Sequence, residues 1–223
     1  MKLFIDSGHL ADIEALVPLG IIDGITTNPS LLAKETGDPR ELLKKICDLV
    51  KGPVSAEVVA TEAQAMIKEG RELAKIDPHI VVKVPFTREG VKACKALSSE
   101  GTKVNVTLIF SAAQALLAAK AGATYISPFV GRLDDVGTNG MDLIREIIEI
   151  YNNYDFATEI LVASTRNPIH IVEAARLGAD ICTCPPAVID SLFNHPLTTI
   201  GLEKFLKDWE KTQAVHGAAA VKA

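Results

Sequence analysis

A β-branched run, Ile80-Val81-Val82-Lys83-Val84-Pro85, contains a single lysine and ends at a proline. Runs of this composition form parallel strands that are buried on both faces, where a charged side chain is costly. Removal from water favours the neutral amine of a lysine, which is the form that attacks a carbonyl carbon to give a Schiff base. We therefore predict that Lys83 is a nucleophile. The alternative is a lysine near a strand end that reaches solvent or pairs with a carboxylate.

Strand-like runs alternate with helical patterns along the rest of the chain, which is typical of βα units joined by right-handed crossovers. Eight such units predict a (β/α)8 TIM barrel, an α/β fold, as one domain over residues 1–223. A doubly wound open sheet is the alternative, although no GxGxxG fingerprint follows the first strand. The predicted strands are residues 2–6, 21–26, 54–59, 80–84, 103–108, 123–127, 159–163 and 180–183. The predicted helices are residues 9–18, 39–51, 62–75, 88–99, 111–120, 139–152, 168–177 and 186–193.

An additional C-terminal helix is predicted beyond the eighth unit, over about 198–211. Its apolar positions include Trp209, the only tryptophan of the chain. We expect this amphipathic helix to pack across the barrel bottom or on a neighbouring subunit. The small and polar tail after Thr212 is expected to be frayed.

The composition agrees with an α/β barrel and argues against several kinds of partner. Hydrophobic residues are 48% and aromatic residues 5% of the chain, so the core must consist mainly of Val, Ile, Leu and Ala. The net charge is −5 without a basic cluster, which argues against nucleic acid and an anionic membrane surface as partners. Four scattered cysteines form no CxxC pair and no zinc-like spacing with histidine, so we predict no metal site.

The start of the sequence bears on localisation. Met1 leads directly into the first predicted strand, without the basic and apolar segments of a secretory signal. No apolar run is long enough to cross a bilayer. We expect a cytoplasmic protein.

Polar and aromatic residues mark the carboxyl ends of the first seven predicted strands. Catalytic groups of a parallel barrel lie at those ends and in the loops that follow. Alternate residues of a strand share a face, so Asn105 and Thr107 point to the same side. We predict that these residues form one pocket. They are Asp6, Asn28, Glu57, Lys83, Asn105, Thr107, Ser127, Phe129, Arg132, Ser164 and Arg166.

Several of these residues also have a structural interpretation. Asp6 could cap the helix that starts near His9. Thr26-Thr27-Asn28-Pro29-Ser30 could be turn chemistry, because Asn-Pro favours a loop. Glu57 could be only the ion-pair partner of Lys83.

Residues near the last strands have similar alternatives. Ser164 and Arg166 precede Asn167-Pro168 and could cap the helix that starts there. Cys182-Thr183-Cys184 could be redox-active, although packing at a strand end is favoured. The histidines share no spacing, so we assign surface or structural roles to His9, His79, His170, His195 and His216.

Five separated motifs in chain order resemble the transaldolase family, in particular its short, single-barrel members, which include fructose-6-phosphate aldolases. The resemblance extends from Met1 to about Trp209, with one departure at Asp6-Ser7-Gly8-His9, where the family usually has Asp-Thr-Ala. The acid is kept there, and Ser7 keeps a hydroxyl. The motifs are Thr26-Thr27-Asn28-Pro29-Ser30, Val82-Lys83-Val84-Pro85, Asn105-Val106-Thr107-Leu108-Ile109-Phe110, Ile126-Ser127-Pro128-Phe129-Val130-Gly131-Arg132 and Ser164-Thr165-Arg166-Asn167.

The resemblance implies class I aldol chemistry without a metal or an organic cofactor. Lys83 would form the Schiff base with a ketose phosphate. Asp6 would take the proton of the C4 hydroxyl and return one to an acceptor aldehyde. Glu57 and Thr107 would hold and activate water.

The resemblance also implies how a phosphorylated sugar is bound. The hydroxyls of the dihydroxyacetone unit would contact Asn28, Asn105 and Ser127. Arg132 and Arg166, with Ser164, would bind the phosphate, because a guanidinium group matches the geometry of its oxygens. Two arginines would thus let an acidic protein bind an anionic substrate.

Two positions separate the activities of the family. Transaldolases resemble this chain in having Glu57 and Phe129, whereas fructose-6-phosphate aldolases have glutamine and tyrosine. We therefore predict a transaldolase of the non-oxidative pentose phosphate pathway, with sedoheptulose 7-phosphate or fructose 6-phosphate as donor and an aldose phosphate as acceptor. The alternatives are a fructose-6-phosphate aldolase that releases dihydroxyacetone and a non-catalytic sugar-phosphate-binding barrel. Similar short members form decamers built from rings, so the resemblance implies a homo-oligomer of that kind.

Overall fold

Eight parallel strands close into a barrel in which each strand pairs with its neighbours in the chain. The computed structural model describes residues 1–220. It divides into two compact units, residues 1–188 and a C-terminal unit that begins at Ile189. The closed sheet confirms the predicted (β/α)8 barrel and excludes the open sheet. The strands are β1 (Lys2–Asp6), β2 (Gly24–Thr26), β3 (Val54–Glu57), β4 (Ile80–Pro85), β5 (Val104–Ile109), β6 (Tyr125–Pro128), β7 (Glu159–Val162) and β8 (Ile181–Cys184).

The helices that were predicted between the strands are all present, with bounds that differ by a few residues. Helices of four and five residues, α2 and α7, were missed, as was a 3-10 helix at Val17–Leu19. They are too short to show helical periodicity in the sequence. The helices are α1 (Leu10–Leu16), α2 (Pro29–Leu32), α3 (Pro39–Val50), α4 (Ala63–Ala74), α5 (Arg88–Ser99), α6 (Ala112–Lys120), α7 (Val130–Asp134), α8 (Gly140–Tyr154), α9 (Pro168–Leu177), α10 (Pro186–Ser191) and α11 (Pro196–Ala220).

The barrel interior has an apolar layer below a polar one. The Phe4 and Tyr125 rings meet edge to face, with centroids 6.4 Å apart. Gly24 gives the Phe4 ring its space, because a Cβ at Gly24 would lie 2.6 Å from that ring. The apolar layer is built from Phe4, Val81, Tyr125, Leu161 and Ile181, and Ala163 packs against it from the next layer. Side chains two residues further along a strand share its face, so the next layer contains the polar residues Asp6, Lys83, Ser127 and Thr183.

A bulge interrupts the pairing of β5 with β6. Val106 pairs with Ile126, but the next pair is Ile109 with Pro128, so β5 contains one residue more than β6 between these pairs. Leu108 lies in this bulge with a φ of 61°, which is unfavourable for a bulky residue. Bulges and strained residues concentrate beside functional sites, and Thr107 lies in the same bulge, immediately before Leu108. Simple strand alternation did not predict the bulge.

The C-terminal unit consists mainly of α11. This helix extends from Pro196 to Ala220, whereas the sequence predicted about 198–211. The backbone of residues 213–220 is thus helical where a frayed tail was expected, and residues 221–223 lie outside the described residues. Leu197, Phe205 and Trp209 are 71%, 72% and 59% exposed. Within residues 1–220, no helix combines the length and apolar character needed to cross a membrane.

Candidate active site

Lys83 lies in the polar layer on β4 and is only 5% exposed. Its ammonium group donates to the carbonyl oxygen of Thr27 at 3.1 Å and lies 3.0 Å from Oε2 of Glu57. Glu57 on β3 is the register partner of Lys83. The ion pair considered from the sequence is therefore formed, and the lysine is withheld from bulk solvent.

A cavity of about 200 Å³ opens beside Lys83 at the carboxyl ends of the strands. Its volume suits a small metabolite, because drug-sized ligands occupy cavities of roughly 300–1,000 Å³. The cavity brings together most of the predicted site. Its lining contains Asp6, Asn28, Lys83, Ser127, Phe129, Arg132, Ser164 and Arg166, together with Thr26, Ala163 and Thr183. Of the described residues predicted for the site, Glu57, Asn105 and Thr107 lie outside this lining.

Asp6 ends β1, where it is half-buried at the cavity wall. Its carboxylate accepts a hydrogen bond from Oγ1 of Thr26 at 2.7 Å, and Thr26 Oγ1 lies 2.7 Å from Thr183 Oγ1. Burial raises the pKa of Asp6, while the Thr26 hydrogen bond and the charge of Lys83 oppose that rise. The structure assigns the N-cap of α1 to His9, so capping by Asp6 is not observed. A carboxyl with a raised pKa is suited to proton exchange with a ligand.

Asn105 connects three strands beneath the cavity. It is fully buried, and its Nδ2 donates to Ser55 Oγ at 3.1 Å. Ser127 Oγ donates to Asn105 Oδ1 at 2.8 Å. These two bonds fix the orientation of the amide. Ser127, rather than Asn105, reaches the cavity lining.

Thr107 is 1% exposed, and among the described residues its Oγ1 has no protein hydrogen-bond partner. Buried hydroxyls nearly always have a partner, which can be an ordered water molecule. Thr107 pairs with Pro85 in register, two residues beyond the pairing of Lys83 with Asn105. An unpartnered hydroxyl at this position suits the predicted role of holding water.

The loop after β2 has a structural and a cavity-facing role. Asn28 caps α2, since its Oδ1 accepts the N–H of Leu31 at 2.9 Å. Asn28 also lines the cavity. The two interpretations of this motif are therefore compatible.

The two predicted phosphate ligands belong to adjacent segments. Arg132 lies in α7, with its guanidinium carbon 5.2 Å from the centre of the Phe129 ring, a cation–π arrangement. Arg166 follows β7 and forms two hydrogen bonds with Asp135, at 2.7 and 3.3 Å. Asn167 caps α9 by accepting the N–H of His170, so the sequence alternative of capping by Ser164 or Arg166 is not observed.

The segments carrying the arginines are in backbone contact. Gly131 donates its N–H to the Ser164 carbonyl at 3.1 Å. A Cβ at Gly131 would lie 2.2 Å from that oxygen and 2.7 Å from Cγ of Arg166. Ser164 itself has a φ of 58°, in the left-handed region. Glycine at position 131 thus allows the close approach of the two segments.

Sequence reasoning included Thr26 only as part of the motif after the second strand, and it missed Thr183 in the cavity lining and Asp135 as the partner of Arg166. Thr183 was interpreted as part of a packed strand end, although a threonine between two buried cysteines is a polar interruption of β8. Cys182 and Cys184 are free thiols with sulfurs 3.7 Å apart. Asp135 could have been noticed as an acid close to Arg132 in the sequence. Within the described residues, no cluster of three His, Cys, Asp or Glu side chains could hold a metal ion.

The fold and the cavity define a (β/α)8 barrel whose site combines a buried lysine, an acid and two arginines. Comparison with known sequences places it more narrowly. Residues 3–219 match the Transaldolase/Fructose-6-phosphate aldolase family, and the chain belongs to that family. This confirms the resemblance predicted from the motifs.

Relatives from several organisms match nearly the whole chain. A probable transaldolase of Syntrophobacter fumaroxidans is 60% identical over 217 residues, which are 96% of this chain and 98% of that protein. A probable transaldolase of Rhodospirillum centenum is 61% identical over 95% of this chain and 92% of its own length. One from Methanococcus vannielii is 59% identical over 94% of this chain and 98% of its own length.

Proposed function

We propose that the protein is a transaldolase, which transfers a dihydroxyacetone unit from a ketose phosphate to an aldose phosphate through a Schiff base on Lys83. The observation that carries the proposal is the placement of Lys83. Its side chain is buried and lies 3.0 Å from Glu57, and it lines the cavity that also contains the two arginines. An ion-pair role alone would not require the lysine to face a ligand cavity.

Schiff-base formation requires the ammonium group of Lys83 to lose a proton. Glu57 is the nearest acceptor, and the neutral amine then attacks the C2 carbonyl of the ketose. The carboxyl group of Glu57 then returns its proton to the hydroxyl of the carbinolamine. The hydroxyl leaves as water, and a protonated imine remains. Thr107 holds the departing water through its Oγ1, which has no hydrogen-bond partner within the described part of the chain. The same two groups direct water to the imine when the product is released.

Cleavage of the C3–C4 bond requires a base at the C4 hydroxyl. Asp6 takes that proton, the C3–C4 electron pair moves toward the protonated imine, and an enamine remains on Lys83 while the aldose phosphate leaves. The acceptor aldehyde then undergoes the reverse sequence, in which Asp6 returns the proton. Burial, which raises the pKa of Asp6, strengthens it as a base for this exchange.

The cavity lining supports binding of an elongated, anionic sugar. Asn28 and Ser127 reach the hydroxyls of the dihydroxyacetone unit near Lys83, and Asn105 orients Ser127 from behind. Arg132 and Arg166 bind the phosphate at the other end of the sugar. Since Arg166 pairs with Asp135, phosphate binding exchanges one anionic partner for another.

Glu57 and Phe129 favour transfer over release of dihydroxyacetone. The Phe129 ring lines the cavity and packs edge-on against Phe110, with centroids 5.9 Å apart. Phenylalanine has no proton to donate to the enamine, so the enamine persists until an aldehyde arrives. Phe129→Tyr adds a donor while keeping the ring, and should increase dihydroxyacetone release when no acceptor is present.

Borohydride reduction with fructose 6-phosphate tests the proposal. Peptide mapping should locate the mass of a reduced dihydroxyacetone unit on Lys83, and Lys83→Met should abolish labelling and transfer. Product analysis with and without erythrose 4-phosphate separates a transaldolase from an aldolase. Labelling of another lysine in an active preparation would overturn the assignment of Lys83. If no lysine is labelled but the protein binds sugars only when they carry a phosphate, a non-catalytic sugar-phosphate-binding barrel would be favoured.

We also propose that the chain forms a homo-oligomer through α11. Its exposed apolar residues, including Phe205 and Trp209, are large enough to form the centre of an interface with a second copy. Sedimentation analysis of Phe205→Ser beside the natural sequence tests this, with a smaller assembly expected for the variant. An unchanged assembly would remove α11 from the interface.

A further inference from the structure

We propose that His170 is a positioning residue for phosphate binding, which holds the segment of Arg166 and the segment of Arg132 in one fixed arrangement. This inference rests on the proposed function, because it assumes that these two arginines bind the phosphate of the substrate. His170 was assigned only a surface or structural role from the sequence.

His170 lies in the first turn of α9 and is 8% exposed. Its Nδ1 accepts the backbone N–H of Arg166 at 3.2 Å. Its Nε2 lies 2.9 Å from Oδ2 of Asp134, the last residue of α7. The imidazole ring therefore connects the backbone that carries one arginine with the helix that carries the other.

A single tautomer satisfies both contacts. Neutral imidazole with its proton on Nε2 donates to Asp134 and accepts from Arg166, and the rigid ring fixes the separation of the two segments. The other carboxylate oxygen of Asp134 also has a partner, because Oδ1 accepts the N–H of Gly140 at 2.9 Å. His170 thus belongs to a network that includes the start of α8.

Two attachments fix α7 against the loop after β7. At its start, Val130 and Gly131 donate their N–H groups to Ala163 and Ser164, both at 3.1 Å. At its end, His170 binds Asp134. Attachment at both ends restricts the orientation of α7, and with it the position of the Arg132 backbone relative to that of Arg166.

The other restraint on Arg166 is weaker. Its ion pair with Asp135 joins side chains that are 51% and 54% exposed. Exposed ion pairs contribute little to order, because water screens them and the side chains lose entropy. Phosphate must also displace this carboxylate. The His170 ring is the better shielded partner, because its side chain is 10% exposed and that of Asp134 is 38% exposed. Its bonds therefore help to set the backbone position from which Arg166 reaches a ligand.

Three substitutions separate the contacts. His170→Asn keeps an oxygen near the position of Nδ1, and His170→Gln keeps an N–H near the position of Nε2. His170→Phe keeps the ring volume and removes both bonds. His79→Gln is the matched control, because His79 also contacts a carboxylate, Asp77 at 2.7 Å, and precedes β4 at the opposite end of the barrel.

Calorimetric titration with inorganic phosphate and with fructose 6-phosphate gives the primary measurement. Loss of one of the two His170 hydrogen bonds should weaken both affinities up to about tenfold in His170→Gln and His170→Asn, and more in His170→Phe, with His79→Gln unchanged. Borohydride trapping of unphosphorylated dihydroxyacetone on Lys83 should proceed at the rate of the natural sequence, because it makes no use of the arginines.

The outcomes separate this inference from the proposed function. Unchanged phosphate affinity in folded Asn and Gln variants would overturn the role of His170. Equal losses in phosphate binding and in dihydroxyacetone trapping would also overturn it, since they would indicate general structural damage. If the natural sequence traps no dihydroxyacetone, the proposed function fails, while the phosphate titrations still decide whether His170 positions an anion site.

Discussion

Lys83 and Glu57 form the ion pair on which the proposed chemistry depends, and their coupling can be measured without substrate. The side chains are 6% and 16% exposed, with 3.0 Å between Nζ and Oε2. At an effective dielectric constant of about 20, their attraction is roughly 5 kcal/mol before the cost of desolvation. Lys83→Met leaves a carboxylate without its cation, and Glu57→Gln leaves an ammonium group with neutral acceptors in place of its anion, the new amide oxygen and the Thr27 carbonyl.

Each single substitution should lower the free energy of unfolding, because one buried charge loses its partner. Breaking a buried pair typically costs about 3–5 kcal/mol, although removal of the lysine also removes its own desolvation cost. The double variant has neither charge, so its loss should be smaller than the sum of the single losses. We expect a coupling energy of about 1–3 kcal/mol from the cycle.

Equilibrium unfolding in urea measures the four proteins at one protomer concentration, since assembly would otherwise shift the midpoint. The matched control is the cycle of Lys2→Met and Glu159→Gln, an ion pair of 2.6 Å whose side chains are 47% and 32% exposed. Its coupling should be below about 1 kcal/mol. Additive losses at Lys83 and Glu57 would refute the buried pair and the proton route built on it.

Three further predictions concern the ligand and the acid. Arg132→Ala or Arg166→Ala should raise KM for phosphorylated substrates in steady-state assays, because each loses about 1.5–3 kcal/mol of binding free energy. The KM of unphosphorylated substrates should change much less. Thr107→Val removes a buried hydroxyl that lacks a partner among the described residues, so thermal unfolding should show no loss of stability while imine formation slows. Burial raises the pKa of Asp6 in the folded state above 3.8, the ordinary pKa of an aspartate, so the folded state holds this proton more tightly than the unfolded state. As the pH rises from 3.8 through the folded-state pKa, the natural sequence should therefore lose free energy of unfolding relative to Asp6→Asn.

Controls accompany these three predictions. Arg176→Ala removes the same charge from the last turn of α9 and should leave KM unchanged. Thr107→Ser restores the hydroxyl and should recover imine formation. An Asp6→Asn protein whose stability follows that of the natural sequence at every pH would contradict the raised pKa. Equal losses for phosphorylated and unphosphorylated substrates would contradict the role of the arginines.

Local sequence patterns determined the order of the barrel and most of its lining. Strand composition and helical periodicity are properties of short windows, so eight βα units could be counted without knowledge of the tertiary structure. Because parallel strands place their carboxyl ends at one face, Asp6, Lys83 and Ser127 could be assigned to one cavity from their positions alone. The five sequence motifs also indicated the family to which the chain belongs.

Tertiary structure decided how those residues are held. The bonds from Asp6 to Thr26 and from Thr26 to Thr183 span 20 and 157 positions, and the contact of Arg166 with Asp135 spans 31. No local period encodes such pairs, because they exist only once the barrel closes and the loops pack. The bulge at Leu108 and the short helix α7 likewise depend on neighbouring strands and segments for their backbone partners. The sequence therefore specified the chemical groups at the site, while barrel closure and loop packing set their hydrogen bonds, their burial and the pKa of Asp6.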